Sequence, residues 1–395
     1  MCLKLSQDEV CVRYDVSADT RSLYIHWPFC PYRCHFCPFV AVAGQDHLMP
    51  DYHYALMEEI ERFAAECGRK LSLETIYLGG GTPSSWPDDL LLDMFGRLES
   101  IFDLKTISEI TIEVNPGSVT QEQLDLWKKV GITRLSTGVQ SLNDGVLAGL
   151  SRHQKAEDVR RFVSMADGMF NSLSVDLIIG LPGVSDAEWK QTVKEVITWP
   201  IQHVSMYFLS IHENTPLYTR LIKNELALPP EDPIVDLYYW TVEEFEKHGL
   251  RQYEISSFAR EGYESQHNQV YWDRKPYKAV GVGSCSFDGM IRYQNLKNIP
   301  RYIEALSKGV DVIASCEKLT PQEIRLEKVM LGLRRMKGLA LEDVLSDMAP
   351  LEKEKFLKKV DEFLKEAILF REGSRLCLAK RMFSVENEVA VKLLE

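Results

Sequence analysis

The chain has 395 residues, a formal net charge of −12, 45% hydrophobic and 26% charged residues, an ordinary globular balance with enough length for a sizeable core and more than one unit. Its acidity argues against a nucleic-acid binder, which needs Lys and Arg to neutralise phosphates. The start "MCLKLSQDEVCVRYDV" has no apolar leader core, and no later stretch approaches a bilayer span, so the expectation is a cytoplasmic protein that is not an integral membrane protein.

In chain order, "SLYIHWPF" reads as a strand and "DYHYALMEEIERFAAE" as a helix. "TIYLGGG" precedes "DDLLLDMFGRLESIF". "EITIEVNP" precedes "TQEQLDLWKKVG", whose closing Gly131 suits a helix C-cap. "ITRLSTGVQS" precedes "AEDVRRFVSMADG", "SLSVDLIIGLPG" precedes "SDAEWKQTVKEVITW", and "HVSMYFLSI" is a sixth strand. Apolar strands that alternate with helical segments indicate parallel strands covered by helices. Six such units favour an α/β barrel or partial barrel over an open doubly wound sheet.

After residue 211 the rhythm breaks into the excursion "ENTPLYTRLIKNELALPPEDP", a helical "PIVDLYYWTVEEFEKHG", a strand-like "RQYEISSF" and an aromatic loop "HNQVYWDRKPY". From about 318, two charged helical segments are followed by the hairpin-like "FREGSRLCLAKRMFSV", a pattern that resembles a small winged-helix domain. The expected units are an extension over 1–21, a barrel core over 22–212, a barrel-completing region over 213–317 and a winged-helix-like domain over 318–395.

Nine cysteines are an odd number for a disulfide framework. Cys2, Cys11, Cys67, Cys285, Cys316 and Cys377 are scattered and read as small hydrophobes. Cys30, Cys34 and Cys37 are packed into "FCPYRCHFCPF" just after the first strand. A structural zinc site wants four ligands, usually as two pairs, and there is no second pair here. His26 lies within the strand run, and His35 adjoins Cys34, where one ion could hardly take both side chains. Three thiolates on a tight loop suit a cubane iron–sulfur cluster whose remaining iron is left for a substrate or cofactor.

Polar residues gather where the other strands end: the "GGGTP" of 79–83, Glu113, Gln140 and Asp176. Active sites of parallel α/β folds lie at that edge. Arg152 in "GLSRHQ" offers a planar fork suited to a carboxylate.

The cysteine spacing after a first β/α strand resembles the radical S-adenosylmethionine (SAM) superfamily. The ordered set "YIHWPFC", "GGGTPS", "IEVNP", "GVQS", "DLIIGLPG" and "HNQVYW" narrows the likeness to its HemN/HemW branch, which holds oxygen-independent coproporphyrinogen III oxidases and heme chaperones. The resemblance runs from about residue 22 to 300. It implies a partial (β/α)6 TIM-type radical SAM barrel with a small C-terminal winged-helix-like domain. It also implies a 4Fe-4S cluster on Cys30, Cys34 and Cys37, with SAM bound at Tyr24, Gly80, Gly81, Thr82, Glu113, Gln140, Arg152 and Asp176.

Within the branch, the oxidase pattern has a further cysteine where this chain has Phe39, and a longer segment before the cluster motif. Both departures favour a heme chaperone, with heme as cargo and His267 of "HNQVYW" as a heme ligand. Cys285, in "GVGSCSF", occupies the place of an expected histidine. The implied partners are heme or porphyrin, an electron donor and a heme-acceptor protein, including one at a membrane. The alternatives are porphyrinogen decarboxylation and, more distantly, a heme-degrading radical methyltransferase; no single residue is assigned a catalytic role.

Overall fold

The computed structural model describes residues 13–16, 19–68 and 71–395, so Cys2 and Cys11 lie outside the described residues. Six strands, β1 (Ser22–Trp27), β2 (Thr75–Gly80), β3 (Glu109–Val114), β4 (Arg134–Gln140), β5 (Ser172–Ile179) and β6 (His203–Phe208), pair in parallel in sequence order. After them come β7 (Arg251–Glu254) and β8 (Ser257–Ala259), which add antiparallel at β6, and β9 (Lys278–Val280), which adds parallel outside β1. The sheet order is β9-β1-β2-β3-β4-β5-β6-β8-β7. A doubly wound sheet reverses direction partway through, and this one does not. Among the described residues β7 and β9 do not pair, so the barrel is partial, one of the two forms the six-unit rhythm allows and the one the resemblance implies.

Helices α1 (Met49–Cys67), α2 (Asp88–Ile101), α3 (Gln121–Lys129), α4 (Ala156–Ala166), α5 (Asp186–Val196) and α6 (Glu231–Lys247) follow the six strands in turn. Two of them start on readable capping chemistry. Capping boxes at Thr120 and Ser185 satisfy the first amides of α3 and α5. Gly131, just past the end of α3, takes a φ of +93°, a left-handed conformation that strains any residue with a side chain.

The apolar content of the strands lies on one face. Ile76 and Leu78, Ile110 and Ile112, Leu173, Val175 and Leu177 point outward into the core under the helices, each almost fully buried. Their neighbours point inward and are polar, as with Thr111 and Glu113 on β3 or Ser174 and Asp176 on β5. A sheet with period two must present one chemistry to each side. Here the inner wall is built to be wet or ligand-filled rather than packed as a core.

Beyond the barrel, three antiparallel strands, β10 (Cys285–Phe287), β11 (Ile291–Asn295) and β12 (Ile313–Lys318), form a small sheet. A second hydrophobic cluster gathers residues between Val329 and Leu394, among them Val360, Leu376 and Ala390. It includes the hairpin of β14 (Leu369–Glu372) and β15 (Arg375–Leu378), joined by the short β13 (Leu339–Ala340).

Candidate cofactor and ligand cavity

The C-terminal ends of the strands open on a cavity of about 510 Å³. Cys30, Cys34 and Cys37 line it, together with Gly80, Gly81, Thr82, Glu113, Gln140, Arg152 and Asp176. Thus all the residues expected at the strand ends reach one space. Two expected site residues do not. Tyr24 sits beside Tyr77 on the same inner face of the sheet, its ring stacked at 6.0 Å, but only Tyr77 lines the cavity.

His267 is also elsewhere, and its expected role needs correction. It is fully buried, with Nδ1 2.8 Å from the Thr75 hydroxyl and Nε2 2.8 Å from the Tyr271 hydroxyl. Burial pushes its pKa down to about 3, so the imidazole stays neutral. Both ring nitrogens are committed, and neither faces the cavity as a heme ligand must. The "HNQVYW" loop is in fact a short helix, α7 (Gln266–Trp272). Its first amides, at Gln266 and His267, donate to the Glu109 carboxylate at 3.0 Å each, and its Asn268 contributes to the cavity floor.

The cysteine loop is held by its own cation. The Arg33 guanidinium donates to the carbonyls of Phe39, at 3.1 Å, and of Ala41, tying the middle of the loop to its end. From the second strand, the amides of Gly81 and Thr82 donate to the Trp27 and Phe29 carbonyls at 2.7 and 2.9 Å. Burial pushes the Cys30 thiol up to about 11 and the Cys37 thiol upward, so a metal must displace their protons on binding. Among the described residues, no three His, Cys, Asp or Glu side chains converge on one ion position. A single zinc would need such convergence, whereas each thiolate of an iron–sulfur cluster holds a different iron. Three thiols on one loop are a donor set that a cluster can use, one thiolate to each of three irons.

Opposite the thiols, Glu113 accepts from the Tyr77 hydroxyl at 2.9 Å and the Gly80 amide at 3.1 Å. Burial outweighs those bonds and raises its pKa to about 7. Asp176 accepts from the Ser136 hydroxyl at 3.3 Å, and burial raises it to about 6. Gly80, at a φ of +115°, has no room for a Cβ, which would fall 2.6 Å from the His26 ring. Gln140 sits at a register shift in β4 and has a φ of +65°. Arg152 Nη1 lies 3.6 Å from Cys34 Sγ, and Nη2 donates to the Gly138 carbonyl. Gly138 leaves that route open, because a Cβ there would stand 2.7 Å from both Arg152 Nη2 and Gln140 Nε2.

Cys285 lies on β10 opposite Gln294 and does not line the cavity. The sequence reading also missed several lining residues: Tyr77, Arg134, Ser136, Ser205 and Tyr207. They share the inward parity of Glu113 and Asp176, a period-two signal visible in the strand sequences.

Residues 24–196 match the Radical SAM superfamily. The heme chaperone HemW of Bacillus subtilis (strain 168) is 33% identical over 324 residues, covering 81% of this chain and 85% of that protein. The chain belongs to the HemW family of the radical SAM superfamily. The heme chaperone HemW of Mycobacterium tuberculosis (strain ATCC 25618 / H37Rv) is similar across 94% of both chains at 31% identity. A mitochondrial relative from Bos taurus, radical S-adenosyl methionine domain-containing protein 1, is 32% identical over 67% of this chain and 60% of its own. Among solved structures, coproporphyrinogen III oxidase (HemN) from Escherichia coli superposes with a TM-score of 0.79, covering 96% of this chain and 92% of that one. At 21% identity that likeness establishes the shared fold. Radical SAM membership implies a 4Fe-4S cluster and SAM, and the cavity's donors suit both.

Proposed function

We propose that this chain is a heme chaperone that holds a 4Fe-4S cluster on Cys30, Cys34 and Cys37, binds SAM beside it, and delivers heme to an acceptor protein. The observation that carries the proposal is the convergence of three thiols and five strand ends on one cavity, in a chain 33% identical to a protein named as a heme chaperone. When bound, the cluster supplies an electron and an open iron able to grip the amino and carboxylate groups of SAM.

The chain's own residues do the rest. Glu113 and the Gly80–Thr82 turn form a polar wall for the cationic end of SAM, with Tyr24 bracing that wall through Tyr77. Gln140 offers both a donor and an acceptor, and Asp176 an acceptor, while Arg152 supplies a fork for a carboxylate. Phe39, 62% exposed at the mouth, occupies the place where the oxidase pattern has a cysteine, which supports the chaperone reading.

Among the described residues no helix is long and apolar enough to cross a membrane. A cytoplasmic location, an electron donor and an acceptor in solution or at a membrane belong to this proposal, as does the division at residues 22–212, 213–317 and 318–395.

The test offers coproporphyrinogen III and heme, separately, to anaerobically reconstituted protein with SAM. The reading expects saturable heme binding and untouched porphyrinogen. Conversion of the porphyrinogen to vinyl products would replace the chaperone reading with the oxidase one.

A further inference from the structure

Heme iron readily takes a neutral imidazole as an axial ligand, and with His267 sealed in the interior the question is which side chain offers one. The sequence has nine histidines, all of them within the described residues. His26, His53, His203 and His267 are buried and bonded to Val40, Asp93, Ser174 and Thr75 respectively. Of the remaining five, His35, His47, His153 and His248 do not line the cavity. His212 does, and its side chain is exposed there.

The other candidate ligands on the lining are engaged, the Tyr207 phenol by a hydrogen bond with the Ser205 hydroxyl. The three cysteines are the cluster set and no methionine is present. The Tyr77 hydroxyl donates to Glu113, and the Tyr32 hydroxyl accepts from Asn115 at 2.7 Å.

The backbone around His212 is fixed in place. Its carbonyl accepts from the Thr215 amide at 3.1 Å and the Thr215 hydroxyl at 2.6 Å, and Thr215 is 4% exposed. The short helix that follows, Pro216–Ile222, is stitched to the cysteine loop by the Leu217 amide, which donates to the His35 carbonyl at 3.0 Å. Arg220 reaches the Gly149 carbonyl at 2.7 Å. His212 therefore stands in a defined register with the cysteine loop. The same cavity is lined by Phe39 and Tyr207, large apolar side chains left 62% and 43% exposed. Exposed aromatic faces and an exposed imidazole on the lining of one cavity form a surface suited to a flat porphyrin with an iron at its centre.

We infer that His212 is the axial ligand of the carried heme, with Phe39 and Tyr207 as apolar contacts for the porphyrin. This rests on the heme-carrying reading above. It also assigns the ligand to the excursion between β6 and α6, away from the "HNQVYW" helix.

The test titrates ferric heme into the full-length protein, His212→Ala and His248→Ala, following the Soret band and the iron–imidazole signature in resonance Raman. His212 is exposed, so its replacement leaves the fold intact, which circular dichroism checks. His212→Ala is expected to lose the imidazole signature and bind about tenfold or more weakly, with added free imidazole restoring the spectrum. His248→Ala, a surface histidine outside the cavity, is expected to match the wild type. An unchanged spectrum and affinity in His212→Ala overturns the assignment and leaves the heme-carrying reading standing. Equal losses in both variants overturn it too, because surface histidines would then bind heme indiscriminately. If the wild type itself takes up no heme, the heme-carrying reading falls and this inference with it.

Discussion

Gln140 is held at a φ of +65°, a conformation that costs a non-glycine residue about 1–3 kcal/mol and persists only where its surroundings impose it. The register shift in β4 imposes it here, aiming the amide into the cavity beside Arg152. Glu113, on the neighbouring strand, carries a different kind of cost. Its pKa of about 7 exceeds that of an unfolded glutamate, so the folded carboxyl keeps its proton longer. Its contribution to stability is full below about 4.5 and is lost as pH rises through about 7. A cationic ligand prefers the ionised form. SAM affinity should therefore rise about tenfold between pH 6 and 8, and in Glu113→Gln that rise should disappear; calorimetric titration across the range measures both.

His267 gives the second residue-scale prediction. Removing a buried ring that satisfies two hydroxyls leaves a cavity and unpaired polar groups, costing about 2–4 kcal/mol. His267→Ala should unfold at lower urea concentration, while the folded fraction keeps the wild-type Soret spectrum. A heme-ligand role would instead change the spectrum at full stability.

At the scale of elements, the six-strand rhythm and the site-bearing strand ends were legible in the sequence because both follow from local period and turn chemistry. The glycine turn at 79–81, Glu113 and Asp176 could be placed without knowing any distant contact. What could not be read was set by long-range partners. "HNQVYW" reads as an aromatic loop until Glu109, 158 residues away from His267, supplies the acceptor that lets its first turn form. "RQYEISSF" reads as one strand, yet it splits into β7 and β8 because it folds back on itself against β6. The excursion after β6 gave no periodic signal, since its packing is a small satellite cluster in which Leu217 and Leu150 meet Phe36 of the cysteine loop. Leu217 is fully buried there. Leu217→Ala should cost about 2–4 kcal/mol of local packing and loosen the cysteine loop, lowering the iron and sulfide retained after reconstitution; metal analysis against the wild type reads this directly.

Across the whole molecule, the chain from Arg334 onward is tied to the barrel at its exposed sheet edge. The Arg334 Nε lies 2.8 Å from the Glu254 carboxylate, and Glu254 is 1% exposed. The Ile255 amide donates to the Arg334 carbonyl at 3.1 Å, and the Met336 amide to the Tyr253 carbonyl at 3.0 Å. Arg334 also lies over the Trp272 ring at 4.8 Å, so the same side chain reaches the helix that floors the cavity. Covering β7 in this way removes an edge that would otherwise invite pairing with other chains. Glu254→Gln leaves the half-buried Arg334 guanidinium without its counter-charge and should cost about 1–2 kcal/mol, seen as a lower thermal midpoint with weaker protection of β7 in hydrogen exchange.

The proposed function requires that three cysteines hold a cluster that leaves an iron for SAM. The most direct measurement is the electron paramagnetic resonance spectrum of the reduced, reconstituted protein recorded with and without SAM. The expected result is a reduced 4Fe-4S signal that changes shape when SAM is added and is absent from Cys34→Ala. A signal indifferent to SAM, or one that survives intact in Cys34→Ala, would contradict it.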